Sequence, residues 1–178
     1  MRMARKDFIG DPMTVARRLV GAYLCRRMAD GTVVRARISE LELYTQAERG
    51  CHAYNGCTAR NDAMFLPGGH AYVYLCYGLH NMLNIVVGDA DYAAAVLIRA
   101  LEMPGCAGPG RLTKTLGITR ADNKMDLCAP DCAMWLEARA ACPKIVCGPR
   151  IGIDYAGPDA ALPWRMGLAD SPHLSRPF

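Results

Sequence analysis

Two carboxylates end an apolar strand in the run Ser39-Glu-Leu-Glu-Leu-Tyr44, and a charge placed there needs a partner. Arg99, the one charge inside Val96-Leu-Ile-Arg-Ala-Leu101, is the candidate. Two readings stay open. The pair could be a buried salt bridge between neighbouring strands, or a carboxylate that activates a water while the guanidinium holds it. Spacing favours Glu42 but does not exclude Glu40. A second group is aromatic. Tyr44, His52 and Tyr74 each fit a core or edge role alone, yet together they could enclose a planar ring, and π faces favour a cationic one. Tyr77 stands beside Gly78 at the mouth of a turn, either packed on its own turn or free to wedge between stacked bases. Asn84 adds a rigid amide. The sum is a pocket for a nucleobase with an acid or base beside it.

Other chemistries lack their residues. His70, His80 and His173 have no metal-ligand spacing, and the nine cysteines contain no Cys-x-x-Cys pair, so no metal is expected. An odd cysteine count also fits a full disulfide framework poorly, and Cys76 and Cys147 are expected in the core as small apolar residues. Ser171 and Ser175 sit in no nucleophile elbow, and Leu66-Pro-Gly-Gly69 lacks the lysine and the strand–helix setting of a phosphate loop. No cofactor is expected. With 178 residues, 52% of them apolar, the chain can bury a core and is not disordered. Its charge is +4, and Arg2, Arg5, Lys6, Arg17, Arg18, Arg26, Arg27, Arg35 and Arg37 crowd the first forty residues. Such a run is either a solvated face or a surface for phosphates. No signal peptide and no membrane-length apolar run appear, which leads to the expectation of a cytoplasmic protein with reduced thiols.

The elements that must position these residues can be read in outline. Asp11-Pro12 starts a helix whose apolar spacing runs to about residue 24, with Arg17 and Arg18 outward. Asp30-Gly31 joins strand 24–28 to strand 32–43, where alternation without a bulge puts Val34, Ala36, Ile38, Glu40 and Glu42 on one face. From residue 45 to 69 the chain reads as a long functional loop with one short helical turn. Strands follow at 70–77, 82–87 and 95–102, then a short helix at 111–116 and a strand at 145–153. The tail after Gly157 reads as loop anchored by Trp164. One mixed domain is expected over 1–178, with its core at about 12–176.

These pieces, in this order, resemble a known family. Glu40 to Tyr44, His52, Arg60-Asn61, Met64-Phe65, Tyr72-Val-Tyr-x-x-Tyr-Gly78, Asn84 and Leu97-x-Arg-Ala-Leu-Glu102 are similar to the alkyladenine (3-methyladenine) DNA glycosylases. Weaker similarity continues through Gly108-Pro-Gly-Arg-Leu112, Trp135-Leu-Glu137 and Arg150-Ile-Gly-Ile-Asp154. The resemblance implies an α+β fold, a curved antiparallel sheet surrounded by helices and long loops, without a helix-hairpin-helix element or metal. It implies a monomeric enzyme of bacterial type, associated with the nucleoid through double-stranded DNA. Its members turn an alkylated purine out of the duplex and cleave its glycosidic bond with water, leaving an abasic site. By resemblance Glu42 is the general base, and Arg99 holds the water, with a main-chain carbonyl near Ile153. Tyr44, His52 and Tyr74 stack on the base, Tyr77 fills the gap, and Asn84 crowds the exocyclic amine of guanine. Lesions in view are 3-methyladenine, 7-methylguanine, hypoxanthine and ethenoadenine. No lysine lies in the motif region before Lys114, so a Schiff-base lyase step is not expected. The alternative is a damaged-DNA binding protein without catalysis, in which a buried base has little use.

Overall fold

A long strand organises everything else. The computed structural model describes residues 1–178, and in it β2 (Val33–Thr45) runs for 13 residues. Its first half forms the expected hairpin with β1 (Tyr23–Arg27), Tyr23 facing Arg37. Its second half is paired on one side with β5 (Ala94–Leu101) and on the other with β8 (Arg165–Leu168). The hairpin β3 (Ala71–Cys76) and β4 (His80–Val86) joins the far edge of β5. β6 (Met134–Glu137) covers β1, and β7 (Ile145–Gly148) pairs with β8. Every pairing is antiparallel and the sheet is strongly curled, so the class is α+β as expected.

One face of the sheet carries the main core under α1 (Pro12–Leu19). Asp11 caps this helix by accepting the Thr14 N–H at 2.8 Å, and Pro12 opens it. Val15, Ala16 and Leu19 face the sheet, and Arg17 and Arg18 face out. The helix stops at Leu19, sooner than its apolar spacing predicts. Val20 turns to extended backbone, and Gly21 takes φ 83°, a left-handed conformation suited to glycine. Val20 and Ala22 are buried all the same, which explains the continued apolar pattern. α2 (Pro109–Thr115) packs on β4 and β5. Met3 and Phe8 belong to the same core. No helix is long and apolar enough to cross a membrane.

Alternation along β2 does not survive. Ala36 and Ile38 lie in the core, but so do Leu41 and Leu43. The phase changes at an irregularity where Glu40 faces Ala100, between the pairs Ile38–Leu101 and Leu41–Ile98. Ser39 and Arg99 each stand as the extra residue of their strand. Glu40, Glu42 and Tyr44 are thereby turned away from the core instead of into it. Unbroken alternation would have driven two carboxylates among leucines, at a cost no nearby partner could offset. The bulge is the physical reason the expected pattern fails.

Three further expectations are corrected. The strand expected at 145–153 ends at Gly148, and β8 lies in the tail that reads as loop, although Trp164 does pack on the core. β6 had no expectation behind it. Cys147 is exposed, and Cys76 is half-buried at the rim of a cavity; the fully buried thiols are Cys25, Cys51 and Cys106. Burial pushes Cys25 and Cys51 up to about 12, which leaves them as protonated core residues.

Candidate active site

The face of the sheet opposite α1 is lined by the other set of alternating side chains. β2 supplies Glu42 and Tyr44, and β5 supplies Leu97 and Arg99. Met82 and Asn84 come from β4, with Tyr72, Tyr74 and Cys76 from β3. Register aligns Glu42 with Leu97, Leu97 with Asn84 and Asn84 with Tyr72, a single row across four strands. Above this floor lies a cavity of about 370 Å³, the size of a site for a small ligand. Tyr44, His52, Tyr74, Tyr77, Asn84, Arg99 and Ile153 all border it. Glu42 does not reach the cavity surface. It is fully buried just behind it, bonded to three of the residues that do line it.

Those three bonds define its environment. Glu42 Oε1 accepts the Ile151 N–H at 2.8 Å. Its Oε2 accepts the Tyr44 hydroxyl at 2.8 Å and Arg99 Nη1 at 3.2 Å. Burial, and then the charge of Glu42, push the Tyr44 phenol far above its usual range, so Tyr44 stays protonated and donates. Glu40 is placed differently. It accepts Arg99 Nε at 3.0 Å, Arg165 Nη1 at 3.2 Å, and both the N–H and the hydroxyl of Ser175. Four donors occupy its oxygens, and of these only Arg99 reaches the cavity. Arg99 thus bridges a saturated carboxylate and a less saturated one.

The ring carriers come from two elements. Tyr74 is fixed by β3, and burial raises its phenol as it does that of Tyr72, which is pushed up to about 12. His52 sits on the loop between β2 and β3, where Asn61 holds the chain. The Asn61 amide donates to His52 O at 2.8 Å and to Gly56 O at 3.0 Å. His52 Nδ1 lies 2.9 Å from the Tyr72 hydroxyl, and burial, then Arg60, lower its proton affinity, so the ring is neutral. His52 and Tyr74 meet edge to face, with centroids 4.6 Å apart and planes at 79°. Asn84 donates its amide to Tyr72 O at 3.1 Å and Met82 O at 3.4 Å, which fixes it on the floor. Tyr77 is 92% exposed at the tip of the β3–β4 hairpin, with φ 49°. For a bulky residue that conformation costs about 1–3 kcal/mol and marks a constraint.

Sequence reasoning gave no role to the bracing beneath this site. Glu48 and Arg150 form a two-pronged pair at 2.7 and 2.8 Å, and both are buried. Arg150 also donates to Leu43 O and lies 4.7 Å over the Tyr44 ring. Glu48 accepts the Gly50 N–H, tying the loop that carries His52 to the segment that carries Ile151 and Ile153. Removing one member of such a pair typically costs about 3–5 kcal/mol, because the other charge is left stranded. Arg150 stands among apolar residues as Arg99 does, and that signal was available. Glu48, inside a polar loop, carried none. Tyr155 and Met82 also border the cavity without having been singled out, and so does Cys76, which was expected in the core.

The sequence model of the methylpurine-DNA glycosylase family matches residues 6–172. Among similar proteins, one from Methanocella arvoryzae is 43% identical, covering 99% of this chain and 97% of its own length. One from Myxococcus xanthus is 44% identical, covering 99% and 95%. A third, from Synechococcus elongatus, is 46% identical, covering 89% and 82%. All three are provisionally named 3-methyladenine DNA glycosylase.

Proposed function

The chain belongs to the methylpurine-DNA glycosylase family, and from that premise we propose that it hydrolyses the glycosidic bond of alkylated purines turned out of duplex DNA. It is a DNA glycosylase acting on alkylated bases. The finer reading adds the reaction and its residues. A water entering beside Arg99 takes the place of one of the three donors to Glu42 and attacks C1′ of the damaged nucleotide, and Glu42 takes its proton. The bonding electrons pass to the purine, neutralising the positive charge that alkylation at N3 or N7 had placed there. Free base and an abasic site result. The base already leaves well, so an activated nucleophile is the main requirement.

The observation that carries this reading is the contrast between the two carboxylates. Glu40 is saturated by four donors, three of them from outside the cavity, whereas the partners of Glu42 all border it. That contrast favours Glu42 as general base and Glu40 as the residue that orients Arg99. Tyr44 would cover one face of the extruded base. Across from it, one of His52 and Tyr74 would offer its face and the other its edge, since they stand nearly perpendicular. Neutral rings prefer a cationic purine to an ordinary one. Asn84 would crowd the amine of guanine, the carbonyl of Ile153 would help hold the water, and Tyr77 would fill the gap in the stack. Every one of these groups comes from one chain, so a monomer suffices.

Release of free base from methylated duplex, compared between wild type and Glu42→Gln, tests the proposal. Wild type should release base, and the variant should lose at least about two orders of magnitude while still binding the lesion. A fully active variant would transfer the role to Glu40. Binding by both without release would make this a damage-binding protein.

A further inference from the structure

On the far side of the molecule a second concavity, of about 400 Å³, opens between α1 and residues 138–142, the segment after β6. Arg17, Arg18 and Arg139 line it, and no acidic residue does. None of the three guanidinium groups has a carboxylate within 4.0 Å, although seven other arginines of the chain do. The two acids at the start of this region are committed elsewhere. Asp7 accepts the Ala4 N–H, and Asp11 accepts the N–H and hydroxyl of Thr14. Arg139 is held in place by donating to Arg17 O and Val20 O at the end of α1. The rest of the lining is small or neutral, and the amides of Ala140, Ala141 and Cys142 donate to nothing within the chain.

Helix capping accounts for only part of this. The C-terminal end of a helix carries roughly half a negative charge, which one arginine answers. Three of them leave an excess of more than about two positive charges around an open hollow. Guanidinium forks and free amides at close quarters are the donor set that recognises phosphate oxygens. The hollow also lies behind the sheet: α1 covers the core face, and the base cavity opens on the other. A duplex seated at Tyr77 therefore leaves it free.

We propose that the Arg17–Arg18–Arg139 hollow is a second phosphate site, and that it takes the backbone of a second nucleic-acid segment while the first occupies the base cavity. The inference rests on the proposed glycosylase reading for the identity of the polyanion. A protein with two such sites passes from one stretch of DNA to another without being free in between.

The test uses the full chain with its base cavity filled by an unlabelled duplex carrying an abasic site. A fluorescent undamaged duplex is then titrated by anisotropy, with wild type and with Arg17→Gln/Arg18→Gln; Arg139 is left because it caps α1. Wild type should take up the second duplex, and the salt slope of that binding should fall by about 0.9 for each contact removed in the variant. Inorganic pyrophosphate is run as a parallel probe by thermal shift. An upward shift in wild type, lost in the variant, with no second duplex bound would retain the phosphate site but overturn its nucleic-acid occupant. Wild type and variant behaving alike with both probes would overturn the site. Base release from a single methylated duplex is measured separately on the same two proteins, without the abasic-site duplex, and should be equal in both. Its absence in wild type would count against the glycosylase reading, independently of the second site.

Discussion

Glu42 and Arg99 were legible as residues because a charge inside an apolar strand is conspicuous, and the structure does pair them at 3.2 Å. What separates Glu42 from Glu40 was not legible. Ser175 and Arg165, which saturate Glu40, lie more than a hundred residues away in sequence, where no local pattern points back to it. The aromatic trio was likewise visible by type, but its perpendicular geometry belongs to the fold. His52 yields a prediction at this scale. Its folded proton affinity is lowered from the ordinary value of 6.5, by burial first and Arg60 second. For a group shifted in that direction, the contribution is complete above 6.5 and is lost as pH falls through the lowered folded value. The ring packs on Tyr72 and Tyr74 but stays partly exposed, so the effect on stability is small and the effect on binding is the one to measure. Affinity of Glu42→Gln for a duplex carrying a cationic lesion, titrated over about pH 5–8, should fall on the acid side. A second exchange, His52→Gln, should flatten that limb; an unchanged limb would place the titrating group elsewhere.

Among the elements, the β3–β4 hairpin carries a local backbone cost at its tip. Both Tyr77 and Gly78 have positive φ, at 49° and 70°, the backbone of a tight hairpin turn. Glycine suits both positions, yet the first holds a tyrosine that is almost wholly exposed. Nothing in the packing of the hairpin needs that ring. Tyr77→Gly should therefore raise stability by up to about 1 kcal/mol in chemical denaturation, while base release from duplex drops. Release from single strands should change far less, because there is no stack to hold open. Equal losses on both substrates would move Tyr77 from wedge to pocket wall. Turn residues made the hairpin readable from sequence. The bulge in β2, the early stop of α1 and the strand β8 were not readable, because each depends on a partner strand or on core packing remote in the chain. Strand β8 in particular is recognisable only by its place beside Glu40, Leu41 and Glu42.

Taken whole, the molecule has a formal charge of +4 and a substrate that is a polyanion. Binding to DNA should weaken linearly with the logarithm of salt, by about 0.9 per phosphate neutralised. Lesion and undamaged duplexes should share one slope, since the base that enters the cavity brings no phosphate and the Arg99 guanidinium there is already paired with Glu40 and Glu42. Different slopes, read from anisotropy over a salt series, would mean that extrusion of the base recruits further phosphate contacts. The fold places the candidate site on one side of the sheet and the main hydrophobic core on the other, and the hinge of that division is the irregularity at Ser39 and Arg99. It has a property beyond turning side chains. The strands are in step before it and in step again after it, for Ile38 faces Leu101 and Glu42 faces Leu97 with the same count between. Each strand holds one extra residue, and the two cancel. Losing either alone would throw every pair beyond it out of step, and only a matched loss in both would be silent to the ladder. Substitution reaches such a feature one residue at a time, but its removal needs two simultaneous deletions in separate segments of a gene. Seen as inheritance, the paired irregularity should outlast the residues around it, and it would identify descent after sequence identity had faded.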